Sequence, residues 1–227
     1  LYFIGNIKNF MEKIQGTKKY ALKTFLFVLG MFISCYGIAM TTRGDLGTSP
    51  ISSPAYVTSL VNPKITFGMA TFVLNALFLL GQICILRKKF PLIQLVQLPI
   101  AFLTGVFMDL SMYLTSMLHS GAYWWNMTLV IGGSLILGLG LATTIYANLT
   151  YMPGDGLVKV IFETTGWNFG KIKVSFDSTL VLIALAISVV GVHSIVGLRE
   201  GTLVSALTVG FFADMFLRIM QYKKEDS

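Results

Sequence analysis

The stretch GMFISCYGIAMTTRGDLGTSP, Gly30 to Pro50, returns 103 residues later as GSLILGLGLATTIYANLTYMP, Gly133 to Pro153. Seven of the 21 aligned positions are identical: Gly30 with Gly133, Ile33 with Ile136, Gly37 with Gly140, Ala39 with Ala142, Thr41 with Thr144, Leu46 with Leu149 and Pro50 with Pro153. Asp45 falls on Asn148. With one residue removed, Phe67-Gly68 falls on Phe169-Gly170 and Asn75 on Asp177. Further on, Gly105-Val-Phe-Met-Asp109 matches Gly210-Phe-Phe-Ala-Asp214. Glycine-bearing apolar helices resemble one another by chance, and each match alone says little. Their common order favours a duplication.

The rest of the chain fits around this repeat. Of 227 residues, 55% are hydrophobic and 12% charged, whereas a soluble domain carries about a quarter charged. Six apolar stretches, at about 22–42, 66–86, 92–117, 124–146, 172–196 and 202–220, are long enough to cross a hydrocarbon core of about 30 Å. Each is expected to be helical, because lipid satisfies no backbone donor or acceptor. The expected fold is an all-α polytopic membrane protein. Its six transmembrane helices form a 3+3 inverted repeat, each half with a short Pro-started half-helix. Three spans per half is an odd number, so the second half inserts upside down relative to the first. Residues 1–21 are an amphipathic cytoplasmic lead-in, expected to lie on the membrane surface. The repeats occupy 22–118 and 122–220, and 221–227 form a cytoplasmic tail.

The net charge of +7 does not indicate nucleic acid, because the lysines cluster at the ends of apolar spans. With the N-terminus inside, fourteen Lys and Arg fall on cytoplasmic segments, and three, Arg43, Lys64 and Arg199, fall outside. That bias puts both termini in the cytoplasm. Cys35 and Cys84 sit inside spans without metal-ligand spacing. No metal cluster, nucleotide loop or nucleophile–base pattern is present in the sequence, so no cofactor and no enzyme activity are expected.

The candidate functional residues lie where the halves match. Ser49-Pro50 reads as a helix N-cap followed by Pro at the first helical position, with Ser52 and Ser53 in the first turn. Pro153, Gly154, Asp155 and Gly156 stand at the equivalent place. If both segments re-enter the membrane, free N–H groups and positive dipole ends meet near the midplane. Capping of interfacial helices is the plainer alternative. Asn75 and Asp177 form a matched pair within spans. So do Asp109 and Asp214, intramembrane acids that are candidates for ion coupling; a helix-end acid at the interface is their plainer reading. Lys159 stands four residues after Asp155, within pairing reach or able to contribute to an anion site, with anchoring at the cytoplasmic surface as its plainer reading.

Leu46-Gly-Thr-Ser-Pro-Ile-Ser-Ser53, after a Gly-containing first span, resembles the YczE/YyaS/YitT-type family of small bacterial membrane proteins. Pro153-Gly154-Asp155 resembles that family's second Pro-x-Asp turn. Relatives often read Pro-Trp-Asp in the first turn, where this chain has Pro50-Ile51-Ser52. The resemblance implies a bacterial membrane location and a transport-like role, without a substrate. The expected function is transport of a small polar or anionic organic solute, held between the half-helix starts by Ser49, Pro50, Ser52, Ser53, Asn75, Pro153, Asp155, Gly156 and Asp177. Inverted repeats are characteristic of transporters. A solute-binding subunit with an energising partner and a regulatory membrane protein are the rivals. The expected partners are the lipid bilayer and the solute, with a homodimer left open.

Overall fold

The computed structural model describes the backbone of residues 2–225 and the side chains of 20–222. Among these residues the chain forms eight α-helices: α1 (Tyr2–Arg43), α2 (Ser53–Val61), α3 (Phe67–Leu86), α4 (Gln97–Leu114), α5 (Tyr123–Ala147), α6 (Pro153–Thr165), α7 (Phe169–Val192) and α8 (Glu200–Glu225). Six stretches are long and apolar enough to cross a membrane: Tyr20–Arg43, Phe67–Lys89, Leu92–Leu114, Tyr123–Ala147, Phe169–Val192 and Glu200–Tyr222. The two short helices, α2 and α6, are the expected half-helices. The chain is a multi-pass membrane protein.

Span ends shift by up to four residues from expectation, and two departures matter for the fold. The lead-in is not a separate helix; α1 runs unbroken through it. Its expected amphipathic face lies outside the described side chains. The fifth span ends at Val192 rather than 196, because His193 takes a left-handed φ of 53°. There Ser188 donates to the Ser194 carbonyl at 2.7 Å and accepts from Val196 N–H at 2.8 Å, which folds the chain back.

The paired breaks after α1 and α5 have a common cause. Asp45 sits at φ 51° and Asn148 at φ 46°, a region that Asp and Asn enter more easily than most residues. Each is followed within five residues by a proline that starts a short helix. Pro50 begins a single 3-10 turn, Pro50–Ser52, that leads into α2. Pro153 occupies the first turn of α6. A proline there loses no hydrogen bond.

The centre of the molecule is a seam between α1 and α5, the most extensive helix pair. Its contacts cross. A Cβ on Gly30 would lie 2.9 Å from the Gly140 carbonyl, and one on Gly133 would lie 2.7 Å from the Gly37 carbonyl. A Cβ on Gly37 would collide with the Leu137 backbone. Hydrocarbon gives helices no hydrophobic reason to associate, so this close backbone approach supplies the attraction through dispersion. Around the seam, α4 packs on α1 and α8 on α5, while α2 packs on α7 and α6 on α3.

The start of α6 is pinned by two buried glutamines. Gln82 Nε2 donates to Gln97 Oε1 at 2.8 Å and to the Pro153 carbonyl at 3.0 Å, and Gln97 Nε2 donates to Gln82 Oε1 at 3.2 Å. Gly156 fits against both side chains.

Two outcomes test this packing. Gly37→Leu is expected to abolish recovery of monodisperse protein in detergent, whereas Gly81→Ala, whose Cβ meets only the flexible tip of Leu157, leaves it intact. Gln82→Leu strands the Gln97 amide and removes the side-chain donor to the Pro153 carbonyl. It is expected to cost about 1–3 kcal/mol, seen as a lower melting temperature that Gln82→Leu/Gln97→Leu partly restores.

Candidate functional site

Both half-helix starts reach the interior and meet. A Cβ on Gly154 would lie 2.6 Å from Ile51 Cδ1. Where they meet there is a cavity of about 330 Å³, a volume in the range of small-molecule sites. All six spans contribute to its wall: Ser34 and Ile38 from α1, Asn75 and Phe78 from α3, Thr104 and Met108 from α4, Leu137 and Leu141 from α5, Lys173 and Asp177 from α7, and Ser205 and Val209 from α8. Most of the wall is apolar side chain, with polar groups at a few points.

Those polar groups have distinct states. Lys173 Nζ donates to Asp177 Oδ1 at 3.1 Å, one helical turn apart. Asp155, in the first turn of α6, lines the cavity, and no hydrogen bond or ion pair holds its carboxylate among the described residues. The helix dipole favours its charge at that position. Asn75 Nδ2 donates to the Thr71 carbonyl at 3.0 Å, and its own amide oxygen accepts no hydrogen bond among the described residues. The hydroxyls of Ser34 and Ser205 are buried without a protein partner. Two carboxylates, Asp155 and Asp177, and one ammonium, Lys173, lie on the cavity wall.

Ser49, Pro50, Ser52, Asn75, Asp155 and Asp177, all singled out by the sequence, line this one cavity. Ser53, Pro153 and Gly156 stand one layer back. Ser53 donates to the Pro50 carbonyl at 2.7 Å, and Pro153 and Gly156 meet the glutamines. Ser49 is an N-cap by backbone position only. Its hydroxyl lies 2.7 Å from that of Ser52 instead of bonding a backbone N–H. Lys159 does not pair with Asp155; it lies 3.6 Å from Glu163 and 4.2 Å above the Tyr151 ring.

Asp109 and Asp214 are outside the cavity wall. Asp109 Oδ1 accepts from the Gly68 N–H and Oδ2 from the Thr66 hydroxyl, both at 2.7 Å. Asp214 Oδ2 lies 2.9 Å from Arg218 Nε at an exposed position.

Sequence reasoning passed over Gln82, Gln97, Ser34, Thr104, Lys173 and Ser205. The glutamines carried the same signal as Asn75, a polar amide within an apolar span. Lys173 is one of the fourteen cations that the charge bias assigns to cytoplasmic segments, and Asp177, four residues on, is its partner within helical reach.

No solved structure matches the chain. It is 27% identical over 188 residues to "Uncharacterized membrane protein YczE" of Bacillus subtilis (strain 168), which covers 82% of this chain and 81% of that protein. The family described as "Family of unknown function (DUF6198)" matches residues 21–218, nearly the whole membrane-embedded part. The chain belongs to the DUF6198 family.

Proposed function

We propose that the chain is a transporter of a small organic solute with an apolar body and a basic or hydrogen-bond-donating head. The observation that carries this reading is the single cavity into which both half-helices point and to which every span contributes. Apolar side chains suit the body of the solute. Asp155, with no internal partner, suits its head. Two carboxylates and one ammonium on the wall favour a cationic or zwitterionic solute over the anion that dipole ends alone suggest. The cavity carboxylates, not Asp109 and Asp214, are placed to touch a solute or a coupling proton.

An inverted repeat gives this cavity a way to change access. Two features support it. The crossed contacts, Gly30 with Gly140 and Gly37 with Gly133, are those of two like helices related by a two-fold axis. Each half-helix packs on the second span of the other half, α2 on α7 and α6 on α3. Rocking of such halves about a central site is the common transporter movement. The charge bias favours the cytoplasmic side for Arg87, Lys88 and Lys89.

The test uses purified chain in liposomes, with small organic amines and carboxylic acids offered as tracers. Uptake of amines by the chain alone is expected. Asp155→Asn should weaken apparent affinity about tenfold or more, the worth of a hydrogen bond to a charged group, with the melting temperature unchanged. Equal uptake of carboxylic acids would reject the proposed head group. Binding without flux would favour a capture subunit.

A further inference from the structure

The two halves share a motif that is closed in one and open in the other. In the first half, Gly68 of α3 meets Gly105 of α4 backbone to backbone; a Cβ on Gly105 would lie 2.7 Å from the Gly68 carbonyl. Asp109, one turn along α4, accepts from Gly68 N–H and from Thr66, the N-cap of α3. This carboxylate ties the end of one span to the start of another. All four groups lie near the face that carries Arg43 and Lys64.

The second half holds the same parts at the opposite face. Gly170 matches Gly68, Gly210 matches Gly105 and Asp214 matches Asp109. Asn168, matching Thr66, is the N-cap of α7, and its side chain accepts from Lys171 N–H at 3.3 Å. Its amide can donate as the Thr66 hydroxyl does. Yet the parts stand apart. A Cβ on Gly210 would meet nothing within 4 Å, and one on Gly170 would meet only the Asn168 side chain. Asp214 faces Arg218 instead. Whereas α3 packs along α4, α7 and α8 barely touch. Gly210 also lines the cavity, so the gap between α7 and α8 leads into it.

We infer that Asp109 and Asp214 are alternating latches at opposite faces of the transport cavity. The structure is the state with the Arg43 face latched and the Arg218 face unlatched. This rests on the transport reading. In the other state α7 closes on α8 through Gly170 and Gly210, and Asp214 leaves Arg218 to accept from Gly170 N–H and Asn168. At the same time Asp109 releases Gly68 and Thr66, and α3 parts from α4. The acids are positioning residues, and neither touches the solute.

The experiment places one cysteine in the cavity wall, Val209→Cys, with Cys35→Ala and Cys84→Ala. A membrane-impermeant maleimide is applied from either side of sealed vesicles without solute. In the parent chain, labelling should come from the Arg218 face. Asp109→Ala should raise the rate from the Arg43 face about tenfold, the effect on a two-state balance of losing hydrogen bonds to a charged group. Thr66→Val should do so less, and Asp109→Asn, which keeps an acceptor, should recover part of the protection. Asp214→Ala should not raise labelling from the Arg43 face. The two alanine variants moving access in the same direction, or neither moving it while both stay folded, would overturn the inference. Amine uptake in the same vesicles separates the two claims. Uptake with latch-insensitive labelling rejects the latches alone; latch-dependent labelling without uptake of any tracer rejects the transport reading.

Discussion

Backbone-to-backbone contact between α1 and α5 governs the rest of the architecture. Membrane helices gain nothing from hiding apolar surface that lipid already covers, so their association depends on close approach. Here the approach occurs at Gly30 and Gly37 on one helix and Gly133 and Gly140 on the other. With the seam that tight, α4 and α8 flank it on their own partners, and α3 and α7 stand further out. The space between is what the half-helices fill.

Filling it with α2 and α6 imposes a polar constraint. Each short helix brings unpaired N–H groups to its N-terminal end, and such groups are costly in an apolar interior. The cavity opens at these ends, while the hydroxyls around Pro50 and the glutamine clamp behind Pro153 donate to nearby carbonyls. The Ser49 and Ser52 hydroxyls lie 2.7 Å apart, and Ser52 also donates to the Ser49 carbonyl at 3.0 Å. Among the described residues no hydrogen bond or ion pair holds the Asp155 carboxylate there.

Much of this was legible in residues. Pro50 and Pro153 marked both half-helices, because a proline after a polar break starts a helix and cannot continue one. The matched Asp45 and Asn148 take the same left-handed turn. Repeat alignment also put Asn75 opposite Asp177, and both line the cavity. What the residues could not convey is conformation. Gly68…Asp109 and Gly170…Asp214 have equivalent sequences, yet one pair of spans is joined and the other is not. A motif able to adopt two arrangements does not announce which it occupies. Lys173 is different: a cation near a span end reads as surface until packing shows what it touches.

Contact between the half-helix starts is the feature on which the cavity depends. Had α2 and α6 lain on opposite membrane surfaces, their starts would be about 30 Å apart. A disulfide requires Cα atoms within about 7 Å. The direct measurement is oxidative cross-linking of Ile51→Cys to Gly154→Cys in membranes, with Cys35 and Cys84 replaced and a protease site inserted at the Gly121 turn. The account predicts that the cut fragments stay joined until reduced. Fragments that separate without reduction, with both cysteines still free to react, would contradict it.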